Sequence, residues 1–121
     1  GRLDIVVGND QEGGALLYVN HGDLVFEGPL PLGTPSDLVY SIAIADLDQD
    51  GDNDIVLGTV EAPSAVLVNS GDGISFSVTR VGDSEGAVYG LAIGDVNGDG
   101  LPDIVAGRSG APNMLYLNSG S

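Results

Sequence analysis

The sequence predicts an all-β protein built from a tandem repeat, and three observations carry that prediction. Short runs of β-branched and small apolar residues recur between clusters of Gly, Asp and Asn. No segment sustains a 3.6-residue apolar period, and 20 glycines with 6 prolines interrupt every longer stretch. The same words also return along the chain, as Asp4-Ile-Val-Val-Gly8, Asp54-Ile-Val-Leu-Gly58 and Asp103-Ile-Val-Ala-Gly107. Self-similarity at a period of roughly 20–50 residues marks an array of stacked supersecondary units.

Further matches fix the period. Tyr40-Ser-Ile-Ala-Ile-Ala-Asp46 aligns with Tyr89-Gly-Leu-Ala-Ile-Gly-Asp95, and Asn20, Asn69 and Asn118 stand 49 residues apart. Asp4 and Asp54 are 50 apart, so the Gly8–Asn20 segment carries one extra residue. Each period reads as four strands, A to D. Strand A, Tyr40–Ala45, precedes an acidic loop, and strand B, Ile55–Leu57, follows it. Strand C, Ala65–Val68, ends at the turn Asn69-Ser-Gly-Asp72. Strand D, Ile74–Val81, alternates apolar and polar residues as a half-exposed strand does.

Four antiparallel strands every ~40–50 residues predict a β-propeller blade. Strand A supports this, because Ser41, Ala43, Ala45, Gly90, Ala92 and Gly94 are small enough for a crowded central axis. Ile42, Ile44, Leu91 and Ile93 are then expected to fill the space between blades. The strand count gives a partial blade B–C–D over residues 1–30, a complete blade over 39–81 and a partial blade A–B–C over 88–121. That is about two and a half blades, where a ring needs roughly four to eight. Open sheet edges invite pairing with other chains. A homo-oligomer that completes a propeller is the expectation.

The acidic loop between strands A and B carries the chemistry. Asp46, Asp48, Asp50, Asp52 and Asp54 alternate with Leu47, Gln49, Gly51 and Asn53. Carboxylates this close oppose one another's ionisation unless a cation intervenes. Ca²⁺ takes about 6–8 oxygen ligands, which matches such a loop. Asp95-Val-Asn97-Gly-Asp99-Gly100-Leu101-Pro102-Asp103 is a second copy. The spacing also opens an EF-hand, but that loop requires Glu at its twelfth position. Leu57 and Ala106 stand there instead, inside apolar strands.

The pattern Asp-x-[Asp/Asn]-x-Asp-Gly-x-x-Asp between two strands resembles the FG-GAP/VCBS repeats of integrin-α-type β-propellers. Residues 95–105 are close to that family's motif, and Asn69-Ser-Gly-Asp-Gly73 fits its VCBS branch. The resemblance implies calcium at two sites. In the first, the ligands would be the side chains of Asp46, Asp48, Asp50 and Asp54 with the Asp52 carbonyl; in the second, Asp95, Asn97, Asp99 and Asp103 with the Leu101 carbonyl. Gly51 and Gly100 allow the turn that curls each loop. Two departures stand out. The Phe-Gly pair of the motif is Tyr40-Ser and Tyr89-Gly here, and the first repeat keeps only Asp4 of its loop. Asp4 is not expected to hold calcium. With one more carboxylate than its copy, the Asp46–Asp54 loop is expected to bind more tightly.

Composition narrows the function. Hydrophobic content of 42% against 17% charged is enough for a packed core. The 18 acids face three arginines and no lysine, for a net charge of -15. Nucleic acid is therefore excluded as a partner, since phosphate binding depends on clustered cations, and an anionic membrane surface is disfavoured likewise. No apolar run approaches the ~18 residues of a membrane span, and with Cys 0 there are no disulfides or thiolate sites. Weak calcium modules depend on millimolar extracellular calcium. The expected setting is extracellular or cell-surface, with any secretion signal outside this stretch.

No catalytic arrangement is legible. Gly-x-Ser-x-Gly, His-Glu-x-x-His and the phosphate-binding glycine loop are missing, and one His without Lys or Cys leaves most base and nucleophile schemes short of a part. His21 reads as an exposed turn residue, and Tyr18, Tyr40, Tyr89 and Tyr116 as packing at repeated positions. Arg2, Arg80 and Arg108 are expected to offset local carboxylates. The expectation is a non-enzymatic binding or adhesion scaffold for a protein or glycan ligand. A carbohydrate-binding lectin propeller, or an accessory propeller of a larger extracellular enzyme, is the alternative that the resemblance implies.

Overall fold

The computed structural model describes residues 2–11 and 13–120. Ten strands follow in order: β1 (Ile5–Gly8), β2 (Ala15–Asn20), β3 (Phe26–Leu32), β4 (Val39–Ala45), β5 (Asp54–Thr59), β6 (Ser64–Asn69), β7 (Phe76–Val81), β8 (Ala87–Gly94), β9 (Asp103–Ser109) and β10 (Met114–Tyr116). No helix occurs among the described residues. The strands form three antiparallel meanders, β1-β2-β3, β4-β5-β6-β7 and β8-β9-β10. By repeat alignment β4 to β7 take the places of strands A to D, β1 to β3 those of B to D, and β8 to β10 those of A to C. The three sheets stack as blades without closing. This is a partial β-propeller.

The middle sheet shows why the apolar runs are continuous. All six residues of β5 are buried, because both faces of a middle blade are covered. Ile55 and Leu57 pack toward the first sheet with Leu17, Leu32, Ala65 and Leu67. Val56 points the other way, with Val66, Leu47 and Ile104 of the third sheet. Ile42, Leu91 and Ile93 lie in these inter-blade layers as expected. Ile44 does not, being 52% exposed. It faces the first sheet, where no strand A covers it among the described residues.

Two local features set strand ends and blade spacing. The β4–β5 and β8–β9 registers slip between Val39 and Ser41 and between Val88 and Gly90. The slips leave Tyr40 and Tyr89 as the extra residues of two bulges, which re-aim side chains out of the ladder. Their rings meet at 5.1 Å, so at these two positions the repeated tyrosines pack on each other. Strand D starts at Phe76 rather than Ile74. The Asp72 carboxylate takes the N–H groups of Ile74 and Ser75, holding both in the turn. Four hydrogen bonds to Oδ1 and Oδ2, the Ile74 N–H first among them, pull the Asp72 carboxyl down to about 2.

The arginines do more than offset carboxylates. Arg108, its side chain only 3% exposed, donates through Nε to the Pro112 carbonyl and through Nη1 to Asp83 and the Glu85 carbonyl. Arg80 donates to the Pro63 carbonyl and to Thr34 Oγ1, with Nη2 2.7 Å from Asp37 Oδ2 as an ion pair lacking aligned hydrogen-bond geometry. Pro63 and Pro112 are repeat-equivalent, as are Thr34 and Asp83. Both arginines therefore tie a B–C turn to the linker from the preceding blade, at the end opposite the acidic loops. His21 is half-exposed, 3.7 Å from Glu27.

Candidate metal centre

Each acidic loop folds around its first carboxylate. Asp46 Oδ1 accepts the Asp50 N–H and Oδ2 that of Gly51. In the second copy, Asp95 Oδ1 accepts from Gly98 and Asp99, and Oδ2 from Gly100. These N–H groups, Gly100 foremost, hold the Asp95 carboxyl below the usual carboxylate range. Asp48 moves the other way: desolvation first, then repulsion from Asp54 and Asp50, raises it. Gly51 and Gly100 sit at φ 98° and 87°, conformations that glycine adopts without strain.

The carboxylates divide into two roles. Oxygens of Asp46, Asp48 and Asp50 converge within 4.8 Å, and so do those of Asp95, Asp99 and Asp103. Asn97 stands at the rim of the second group, its amide nitrogen 3.1 Å from Asp99 Oδ2 and its oxygen accepting the Asp99 N–H. The Asp52 side chain is not part of the first group, and the Leu101 N–H is held by Asp99. Asp54 and Asp103 are fully buried. Asp54 accepts the Leu47 N–H at 2.8 Å and the Asn69 N–H at 2.9 Å, and Asp103 accepts those of Val96 and Asn118. Each thus ties the start of its own loop to its C–D turn. Asp103 still reaches the second convergent group, whereas Asp54 is outside the first.

Sequence reasoning missed this second duty of Asp54 and Asp103. A signal was present: an aspartate opens all three copies of the Asp-Ile-Val word, and in the first copy Asp4 Oδ1 likewise accepts the Asn20 N–H. Every donor in either loop is a hard oxygen, which suits a divalent cation such as Ca²⁺ over softer metals. The three ion pairs among the described residues lie elsewhere, so no side-chain cation neutralises these carboxylates. Beside the first loop, a cavity of about 460 Å³ opens between the second and third blades. Leu47, Gln49, Val68, Leu101 and Asn118 line it.

FG-GAP-like repeats match residues 1–57 and 46–106. The chain belongs to the FG-GAP-like repeat family. No curated protein and no solved structure matches it. Membership agrees with the blade architecture, and the matched stretches include both acidic runs, Asp46–Asp54 and Asp95–Asp103. No helix among the described residues is long and apolar enough to cross a membrane.

Proposed function

We propose that this FG-GAP chain is a calcium-stabilised propeller module, a non-catalytic binding or adhesion scaffold that works outside the cell or at its surface. One observation supports the reading above others: carboxylate oxygens converge within 4.8 Å in both repeat-equivalent loops, with no side-chain cation to separate them. Calcium at the two loops would be held by Asp46, Asp48, Asp50 and Asp54 with the Asp52 carbonyl, and by Asp95, Asn97, Asp99 and Asp103 with the Leu101 carbonyl. Binding to the folded form alone adds about 2.7 kcal/mol per site at a hundredfold excess over Kd. The test is thermal unfolding in excess calcium against chelator. The midpoint rises with calcium; an unchanged midpoint defeats the reading.

The outer faces favour self-assembly into a fuller ring. Val56 and Val66, facing the third blade, are 0% and 9% exposed, while their equivalents Val105 and Leu115 are 37% and 49% exposed. On the first blade Ile5 and Val7 are exposed where Ile55 and Leu57 are buried. The two open faces are thus repeat-equivalents of faces that bury each other inside the chain, and a further blade fits each of them. Copies joined head to tail would satisfy both at once. Light scattering with calcium is expected to give a mass above 12.2 kDa, lowered by Leu115→Lys. A monomer throughout removes self-assembly and leaves the calcium reading intact. The ligand class, protein or glycan, is open to glycan-array binding.

A further inference from the structure

The two acidic loops are not independent. Gln49, between Asp48 and Asp50, reaches across to the third blade, and its Nε2 donates to the Gly100 carbonyl at 2.7 Å. Gly100 is the residue between Asp99 and Leu101, and its own N–H is held by Asp95 Oδ2 at 2.8 Å. Gln49 sits at φ 60°, a left-handed conformation that a non-glycine residue adopts only where the surroundings hold it. A second bridge runs the opposite way. Asn118 Nδ2 donates to the Leu47 carbonyl at 2.7 Å, and the Asn118 N–H is taken by Asp103 at 2.8 Å. Leu47 in turn gives its N–H to Asp54. Asp54, Leu47, Asn118 and Asp103 therefore form one connected line between the two loops.

We propose that Gln49 and Asn118 are positioning residues that couple the two loops, so that a cation in one raises the affinity of the other. The inference rests on the calcium reading above. A cation drawing in Asp48 and Asp50 fixes the backbone of Gln49 between them, and so holds the Gly100 carbonyl, in the peptide unit that leads into Leu101, whose own carbonyl the second loop would offer. Ordering already completed at the first loop lowers the cost at the second, which is positive cooperativity without any large movement. A net hydrogen bond contributes about 0.5–1.5 kcal/mol, so each bridge bounds the coupling at about two- to tenfold in affinity. The effect is reciprocal by linkage.

The test is a calcium titration of the full chain, followed loop by loop through the backbone NMR shifts of Gly51 for the first and Gly98 and Gly100 for the second. Asp48→Asn weakens the first loop while keeping an Oδ1 acceptor for the Asp50 N–H. In the otherwise native chain it is expected to lower the second loop's affinity about two- to tenfold. Gln49→Asn tolerates the left-handed backbone but is one methylene too short to reach Gly100. On that background Asp48→Asn should leave the second loop's affinity nearly unchanged, with Asn118 carrying the remainder. Circular dichroism of each variant checks that the sheets persist, and the Gln49→Asn chain alone, titrated for loss of cooperativity, serves if Asp48→Asn fails to fold. Calcium binding at both loops with an affinity at the second that is indifferent to Asp48→Asn overturns the coupling alone. Calcium binding at neither loop overturns the underlying reading and the coupling with it.

Discussion

Gly58 offers the sharpest test of how these blades stack. It ends the repeated Asp-Ile-Val-Leu-Gly word, yet its φ is not positive, so backbone freedom does not explain it. Space does. A Cβ built there would lie 2.7 Å from Val88 Cγ1 of the next blade and would overlap Ser41 Oγ, whose hydroxyl donates to the Val88 carbonyl at 2.8 Å. Gly8 repeats the arrangement, with Val39 Cγ1 2.6 Å from the added atom. The glycine is what lets strand A of one blade lie against strand B of the blade before it.

Gly58→Ala must therefore push the second and third sheets apart or break the Ser41–Val88 bond. Overpacking costs about 1–3 kcal/mol, and the lost hydrogen bond about 0.5–1.5 kcal/mol. A loss of about 2–4 kcal/mol is expected. Gly107, the same residue one repeat later, is the internal control. There the added atom would meet only the Gly90 carbonyl, at 3.7 Å, an ordinary contact. Gly107→Ala should be neutral or stabilising by up to about 1 kcal/mol, since alanine loses less backbone entropy on folding. Urea unfolding of the three proteins under one buffer reads both values. If Gly58→Ala stays within about 0.5 kcal/mol of the parent, or if Gly107→Ala costs as much, the close-packed junction is wrong.

Three further outcomes follow from single contacts. Asp54→Asn turns one oxygen, held by a backbone N–H, into a donor, and should cost about 1.5–3 kcal/mol in chelator, measured by the same unfolding. Arg108→Ala leaves the Pro112 and Glu85 carbonyls unanswered; because Asp83 is 48% exposed, the loss should be about 1–3 kcal/mol, below the ~3–5 kcal/mol of a fully buried pair, and Arg108→Lys should not restore it, since a point charge cannot fork. Asp72 titrates near 2 in the fold against about 3.9 in an unfolded chain. Its contribution is complete above the unfolded value and fades as pH falls through about 2. The melting-point gap between the parent chain and Asp72→Asn should therefore be widest above about pH 4 and close in stronger acid.

Much of this was legible in the chain. Asp54-Ile-Val-Leu-Gly58 reads as a buried strand, and burial on both faces is why no alternation breaks it. The acidic loops were legible because like charges at alternate positions repel one another unless a cation sits between them. What escaped were contacts between different repeats. Arg80 lies on strand D and Arg108 on strand B, so aligning the repeats puts them at unrelated positions. At the place equivalent to Arg108 stands Thr59, whose hydroxyl donates to the Ala62 and Pro63 carbonyls. A short hydroxyl there and a long guanidinium in the next blade answer the same turn. Gln49 was hidden likewise, because a loop glutamine next to aspartates carries no signal until the neighbouring blade is set beside it. Ile44 was misplaced for the same kind of reason: the pattern assigns it a face, and only the neighbour decides whether that face is covered.

The two ends of each blade junction are held by opposite chemistry. At the end with the B–C turns, guanidinium groups of the protein supply the positive charge: Arg80 beside Asp37, and Arg108 beside Asp83. Each junction there has its own arginine–aspartate pair. At the end with the acidic loops, Asp46, Asp48 and Asp50 gather with no Lys or Arg ion pair among the described residues, and so do Asp95, Asp99 and Asp103. Their first carboxylates are answered only by backbone N–H groups, each a fraction of a charge. A sequence with 18 acids and three bases had the means to neutralise one end of each junction and placed its two best-positioned arginines at the other. On the calcium reading proposed above, the loop end takes its positive charge from solution. That reading accounts for the concentration of negative charge there, and it predicts that calcium tightens the junctions at one end while the arginine end holds without it.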